Sequence, residues 1–164
     1  MGSNEPIDRM SKKRRLEISY TPDFRAVGIF TAQKGYRLCW LLNRHLGVSF
    51  RRMPEFVHNP DKPSRQRKIT VYSYTNPGQL IRYYLIPNKS GNAPLFESPN
   101  MDYLFLINAP SDQFEILPLI KTIRNIPQVS TAMEAGEVFD KASEGFFYDL
   151  ELYLSGSGCN DKGG

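Results

Sequence analysis

The 164-residue sequence is poor in the residues that most often announce chemistry. It has two cysteines, two histidines and one tryptophan. Two cysteines make no disulfide framework. Cys39 falls in a helical pattern and Cys159 in a polar tail, so a bridge needs the tail to fold back, and two reduced thiols suit a cytoplasmic protein. Neither His45 nor His58 has a second His or a Cys at ligand spacing, and Cys39 to His45 misses the i, i+4 arrangement. No metal and no cofactor are expected. Gly28 and Gly35 are too far apart for a phosphate cradle, and no Ser or Cys stands in a nucleophile elbow. No apolar run approaches the ~20 residues of a spanning helix. The basic run Lys12, Lys13, Arg14, Arg15 leads into Leu16-Glu17-Ile18-Ser19 rather than into a continuous apolar stretch with a cleavage site, unlike a secretion signal. The expected setting is the cytoplasm, without a membrane partner.

What remains is a length and composition suited to one domain, able to bury about 70% of its unfolded surface without a staple. Charge is distributed unevenly. Residues 1–90 hold 17 Lys and Arg against 6 Asp and Glu, a net of +11, and residues 91–164 hold 4 against 11, a net of −7. Such halves either polarise the folded molecule or interleave and cancel.

Hydrophobic periodicity divides the chain into elements. Residues 1–14 form a flexible basic segment, with Met10 a second plausible start, residues 15–154 a single domain and residues 155–164 a flexible tail. Strands are expected at 16–20 and at 24–31, the second with Gly28 inside it as the mark of a bulge or a close approach. Leu38, Leu42 and Leu46 recur at helical spacing over 33–46, and Gly47 ends that helix. A short strand at 50–57, weakened by Pro54, precedes a mobile loop at 58–67. Residues 68–74 and 80–86 make a hairpin about Asn76-Pro77-Gly78. Residues 101–107 form a buried central strand. Asp112 and Glu115 suggest a capping box, but Pro118 conflicts with a helix interior, so the second helix begins near Ile116 or kinks. A strand at 129–133, one or two helical turns at 137–143 and a last alternating strand at 146–154 complete the domain. The order predicts an α+β fold: an antiparallel-rich sheet with two main helices on one face, ferredoxin-like with extra strands.

The stretch Leu95-Phe96-Glu97-Ser98-Pro99-Asn100-Met101-Asp102-Tyr103 resembles the signature of the bacterial IPExxxVDY family, small proteins of undefined activity. Glu97, Asp102 and Tyr103 match in register. Leu95 and Met101 are conservative departures, and Phe96 stands where the motif has proline. Gly28-Ile29, Tyr36 to Trp40 with Asn43, Tyr83 to Ile86, and Ile126 to Val129 are similar to further family segments in the same order, over about residues 16–134. The resemblance implies a small bacterial domain and singles out Glu97, Asp102 and Tyr103.

Three constellations carry functional readings. Glu97 and Asp102, five residues apart across a turn, can approach as an acid–base pair. Alternatively Glu97 caps the turn through backbone amides and Asp102 sits at the strand mouth, paired with Arg82, with Tyr103 packing beside them. Arg51, Arg52, Lys62, Arg65, Arg67 and Lys68 flank the mobile loop beside Tyr72, Tyr74, Tyr83 and Tyr84, the ingredients of a single-stranded RNA platform or an anionic-surface site. The RNA-recognition signature itself is missing. On the first helix, advancing about 100° per residue from Tyr36, Trp40 falls near 40° and Asn43 near 340°, while the leucines lie near 200° to 280°. Arg37 and Arg44 border this aromatic edge, a composition typical of interface hot spots. The leading expectation is a non-enzymatic domain that works through contact with a protein partner or self-association. RNA or anionic-surface binding is the alternative, and an acid–base enzyme the third.

Overall fold

A computed structural model describes residues 23–58, 66–90, 93–97, 100–110 and 114–163. Strand β1 (Arg25–Thr31) is apolar at successive positions because both of its faces are covered. Val27 and Ile29 enter one core and Ala26 the other. A methyl group at Gly28 would stand 3.0 Å from Met101 Sδ and 3.3 Å from its Cβ, so the strand-interior glycine does mark a close approach.

Helix α1 (Gly35–Leu46) buries Leu38, Cys39, Leu41 and Leu42. Gly47 ends it at φ 67°, its amide donating to the Asn43 carbonyl. The strand expected at 50–57 is two strands, β2 (Arg51–Arg52) and β3 (Phe56–His58), with Pro54 between them. β3 pairs with β4 (Arg67–Ile69) as a separate hairpin, while β5 (Tyr72–Asn76) pairs with β6 (Ile81–Pro87). The expected 68–86 hairpin is therefore real but begins at Tyr72. A small pair, β7 (Lys89–Ser90) and β8 (Ala93–Pro94), precedes the buried central strand β9 (Tyr103–Asn108).

Helix α2 (Ile116–Arg124) starts where Pro118 demands. The proline sits in the first turn, whose amides have no intrahelical acceptor in any case. Glu115 is the N-cap and makes no side-chain capping bond; Asp112, the other half of the expected box, lies outside the described residues. β10 (Val129–Glu134) and two 3-10 turns, Gly136–Val138 and Lys141–Ser143, lead to α3 (Glu144–Gly163).

The sheet order is β10-β1-β9-β6-β5-β2, every neighbouring pair antiparallel. Counting β1, β6, β9 and β10 as first to fourth, the order is fourth, first, third, second. With α1 and α2 as crossovers on one face, this is the ferredoxin-like arrangement, extended by β5 and β2. The expected last strand at 146–154 is instead part of α3, which runs through the expected tail to Gly163 and covers the opposite face. Its alternation was genuine but incomplete. Phe146, Phe147 and Leu150 are buried, with Tyr153 and Leu154 packed beside them, a helical stripe, while Tyr148 and Leu152 of the alternating set are exposed. The molecule is three-layered. The expected strand at 16–20 lies outside the described residues. No helix among the described residues is long and apolar enough to cross a membrane.

Candidate functional sites

The motif region is built on a bulge. The β1–β10 register shifts between Phe30 and Thr31. At the shift the Thr31 amide donates to Asp102 Oδ2 at 2.9 Å, and its hydroxyl donates to the Gln128 carbonyl at 2.7 Å. Asp102 also donates its own amide to the Ile29 carbonyl, extending the ladder before β9 begins. Its carboxylate is thus occupied by a main-chain donor rather than by Arg82, the partner expected for it. Arg82 instead stands near the Tyr84 phenol, where its charge partly offsets the rise that burial causes. The Tyr103 hydroxyl donates to the Gln33 carbonyl at 2.6 Å. Burial pushes the Tyr103 phenol up to about 12, helped by the Tyr72 phenol and the Asp102 carboxylate nearby. Glu97 is exposed and makes no hydrogen bond among the described residues. Among the described residues Glu97 and Asp102 form no acid–base pair: one carboxylate faces solvent and the other holds the backbone, while the turn that Glu97 was expected to cap includes residues 98 and 99, outside the described residues.

The residue that closes this region was not singled out in the sequence. Asn88, 1% exposed, donates its amide hydrogens to the Phe96 and Met101 carbonyls, both at 2.9 Å. Its carbonyl oxygen accepts from the Phe96 amide at 2.8 Å. One side chain thereby ties both ends of the motif turn to β6. An Asn directly after a strand and Pro87 is the only hint the sequence offered. Phe96, in the motif's proline position, is buried against Phe146 and Phe147 at 5.2 and 5.7 Å between ring centroids.

The basic cluster is divided. Arg51 opposes Ser73 and Arg52 opposes Tyr72, so alternation sends the two arginines to opposite faces. Arg67 donates to the Pro94 carbonyl at 3.1 Å, and Lys68 sits on the β3–β4 hairpin, which packs on α3. Lys62 and Arg65 lie outside the described residues. Tyr72, Tyr74 and Tyr83 pack against the α1–α2 core, and Tyr84 is buried in the other. Burial raises the pKa of Tyr72, Tyr83 and Tyr84. These rings are core walls rather than an open stacking platform.

The α1 edge is the reverse case. Tyr36 is 68% and Trp40 47% exposed. Arg37 Cζ stands 4.5 Å and Arg44 Cζ 5.4 Å from the Trp40 ring centroid, contacts of about 0.5–1 kcal/mol each at an exposed site. Asn43 serves structure: its Oδ1 accepts the Phe50 amide at 2.6 Å, orienting the exit from the helix. The terminal helix α3 lies on the far side of the sheet and does not cover Trp40.

Charge follows the layers. Within their bounds α1 and α2 carry Arg37, Arg44, Lys121 and Arg124 and no Asp or Glu. Between residues 144 and 156, α3 carries Glu144, Asp149 and Glu151 and no Lys or Arg. The two helical layers therefore have opposite sign, although α2 comes from the acidic half of the chain.

A shallow cavity of about 320 Å³ lies between β3 and α3, lined by Phe56, Val57, Asp149, Leu152 and Tyr153. At its rim His58 Nδ1 meets Asp149 Oδ2 at 3.0 Å, and Tyr153 donates its hydroxyl to the Pro54 carbonyl. This pair, missed in the sequence because the partners are 91 residues apart, joins the hairpin to α3. Cys39 is a buried free thiol that burial pushes up to about 12. Comparison with known protein families, curated proteins and solved structures finds no match to this chain.

Proposed function

We propose that this chain is a non-enzymatic interaction domain of the IPExxxVDY type, and that the outer edge of α1 is its contact surface. The observation that carries the reading is Trp40, half exposed between two guanidiniums on a helix whose core stripe is already filled by leucines. An indole held between Arg37 and Arg44 is presented in a restricted orientation, which lowers the ordering cost of burying it in a partner. Arg37 and Arg44 take part in neither ion pair found among the described residues, which join Arg25 to Glu134 and His58 to Asp149, so their charge is available to an incoming surface.

The test is a pull-down with the wild-type chain and with Trp40→Ala, analysed for both protein and RNA. The reading expects a protein recovered by wild type and lost with the variant. Recovery of RNA alone, unaffected by the Trp40 substitution, would count against it.

A further inference from the structure

We infer that the α1 edge docks on the outer face of α3 of a second copy of this chain, so that molecules associate head to tail. This rests on the reading of α1 as a contact surface and names its occupant.

The two helices present matching profiles of opposite charge. On α1, Tyr36, Trp40 and Asn43 lie within about 60° of one another, with Arg37 and Arg44 on their flank at about 80° to 100°. The same construction on α3, from Glu144 as zero, places Tyr148 at about 40° and Glu151 at about 340°, with Leu152 at about 80°. The buried Phe146, Phe147 and Leu150 occupy the other side, and Asp149, held by His58, faces the β3–β4 hairpin. Each outer face thus has an exposed aromatic ring at its centre: Trp40 on α1, and on α3 Tyr148, 54% exposed beside Leu152. Around these rings α1 carries guanidiniums and no acid within its bounds, and α3 carries carboxylates and no base between residues 144 and 156. Opposite charges around apolar centres set the register and steer the encounter. Equal charges at α1–α1 or α3–α3 oppose the symmetric alternatives.

The two faces lie on opposite sides of the sheet. A contact between them leaves a free face at each end of the pair, so it does not close as a two-fold dimer and can extend.

Sedimentation of the full chain over about a hundredfold concentration range tests this, at low and at high salt. The expected result is a weight-average mass that climbs with concentration past the dimer and falls back with salt. Arg37→Glu with Arg44→Glu, and separately Glu144→Lys with Glu151→Lys, should each weaken association by about tenfold or more, with helical circular dichroism unchanged. Mixing the two variants should restore it, because one keeps a native α3 face and the other a native α1 face. A monomer at every concentration and salt would overturn the second-copy proposal while leaving the pull-down to judge the α1 surface. Loss with the arginine variant but not with the glutamate variant would also overturn it, since α1 would then be docking elsewhere.

Discussion

Two aromatic-polar clusters in this molecule are made of similar residues and behave oppositely. Around the motif, Tyr103 is 8% exposed, and its hydroxyl, the Asp102 carboxylate and the Asn88 amide are all bound to main-chain atoms. On α1, Tyr36 and Trp40 face solvent, and the arginines beside them lean on the ring rather than on a carboxylate. The first cluster is closed: its hydrogen-bonding capacity is used within the chain, so it contributes stability and fixes Phe96 and Met101 against Asn88. The second is open, and its apolar area and charge are unspent until another surface arrives. Side-chain type therefore says little about role; whether the partners are internal says a great deal.

Substitution should separate the two clusters cleanly. The largest effect is expected at Asn88. Asn88→Ala strands the Phe96 amide and two carbonyls, and stability should fall by about 3 kcal/mol, read as a lower denaturant midpoint. Asp102→Ala removes one acceptor from the Thr31 amide and should lower it by about 1–3 kcal/mol. At the far end, Glu97→Ala and Trp40→Ala should each stay within about 1 kcal/mol of wild type, because neither side chain is buried and the Trp40 contacts are weak. A Glu97 variant as damaging as the Asp102 variant would erase the distinction between the motif's two carboxylates.

Alkaline pH reaches the closed cluster through Tyr103, alongside Cys39 and the other phenols that burial raises. The Tyr103 phenol is raised from 10.0 to about 12 in the folded protein, so between those values the folded state holds a proton that the unfolded state has lost. Stability must then fall as pH rises through this window, and the contribution is fully present below 10. Tyr103→Phe should flatten this part of the curve in urea titrations at successive pH values. An unchanged slope would mean that Tyr103 is not the group responsible.

The closed and open clusters were unequally legible in the sequence. The ferredoxin-like frame could be read because α1 and β9 are bounded by Gly47 and by turn residues, and because Pro118 allows only one start for α2. The α1 edge was legible for the same reason: the angular positions of Tyr36, Trp40, Arg37 and Arg44 follow from helix geometry alone. α3 was misread because Phe146, Tyr148, Leu150, Leu152 and Leu154 fit a period of two as well as the buried set fits 3.6. Phe147 and Tyr153, packed inward where alternation sends them outward, and the exposed Tyr148 and Leu152 decide between them. The motif failed differently. Its residues were identified, but Asp102 answers to a bulge at Thr31, 71 residues away, and Asn88 closes a turn by bonds that no local pattern encodes. The segregation of charge by layer was equally hidden, because Lys121 and Arg124 join the basic side from the acidic half of the chain.

The central claim is that the α1 edge is open in the isolated chain and closes on a partner. Trp40 is the only tryptophan, so intrinsic fluorescence reports on that edge without labelling. In dilute solution the account predicts red-shifted emission quenched readily by iodide, an anion that Arg37 and Arg44 attract. It predicts a blue shift with loss of quenching as the contact forms. Blue-shifted emission protected from iodide at the lowest measurable concentration of a verified monomer would mean that the chain covers Trp40 itself, and the account would be contradicted.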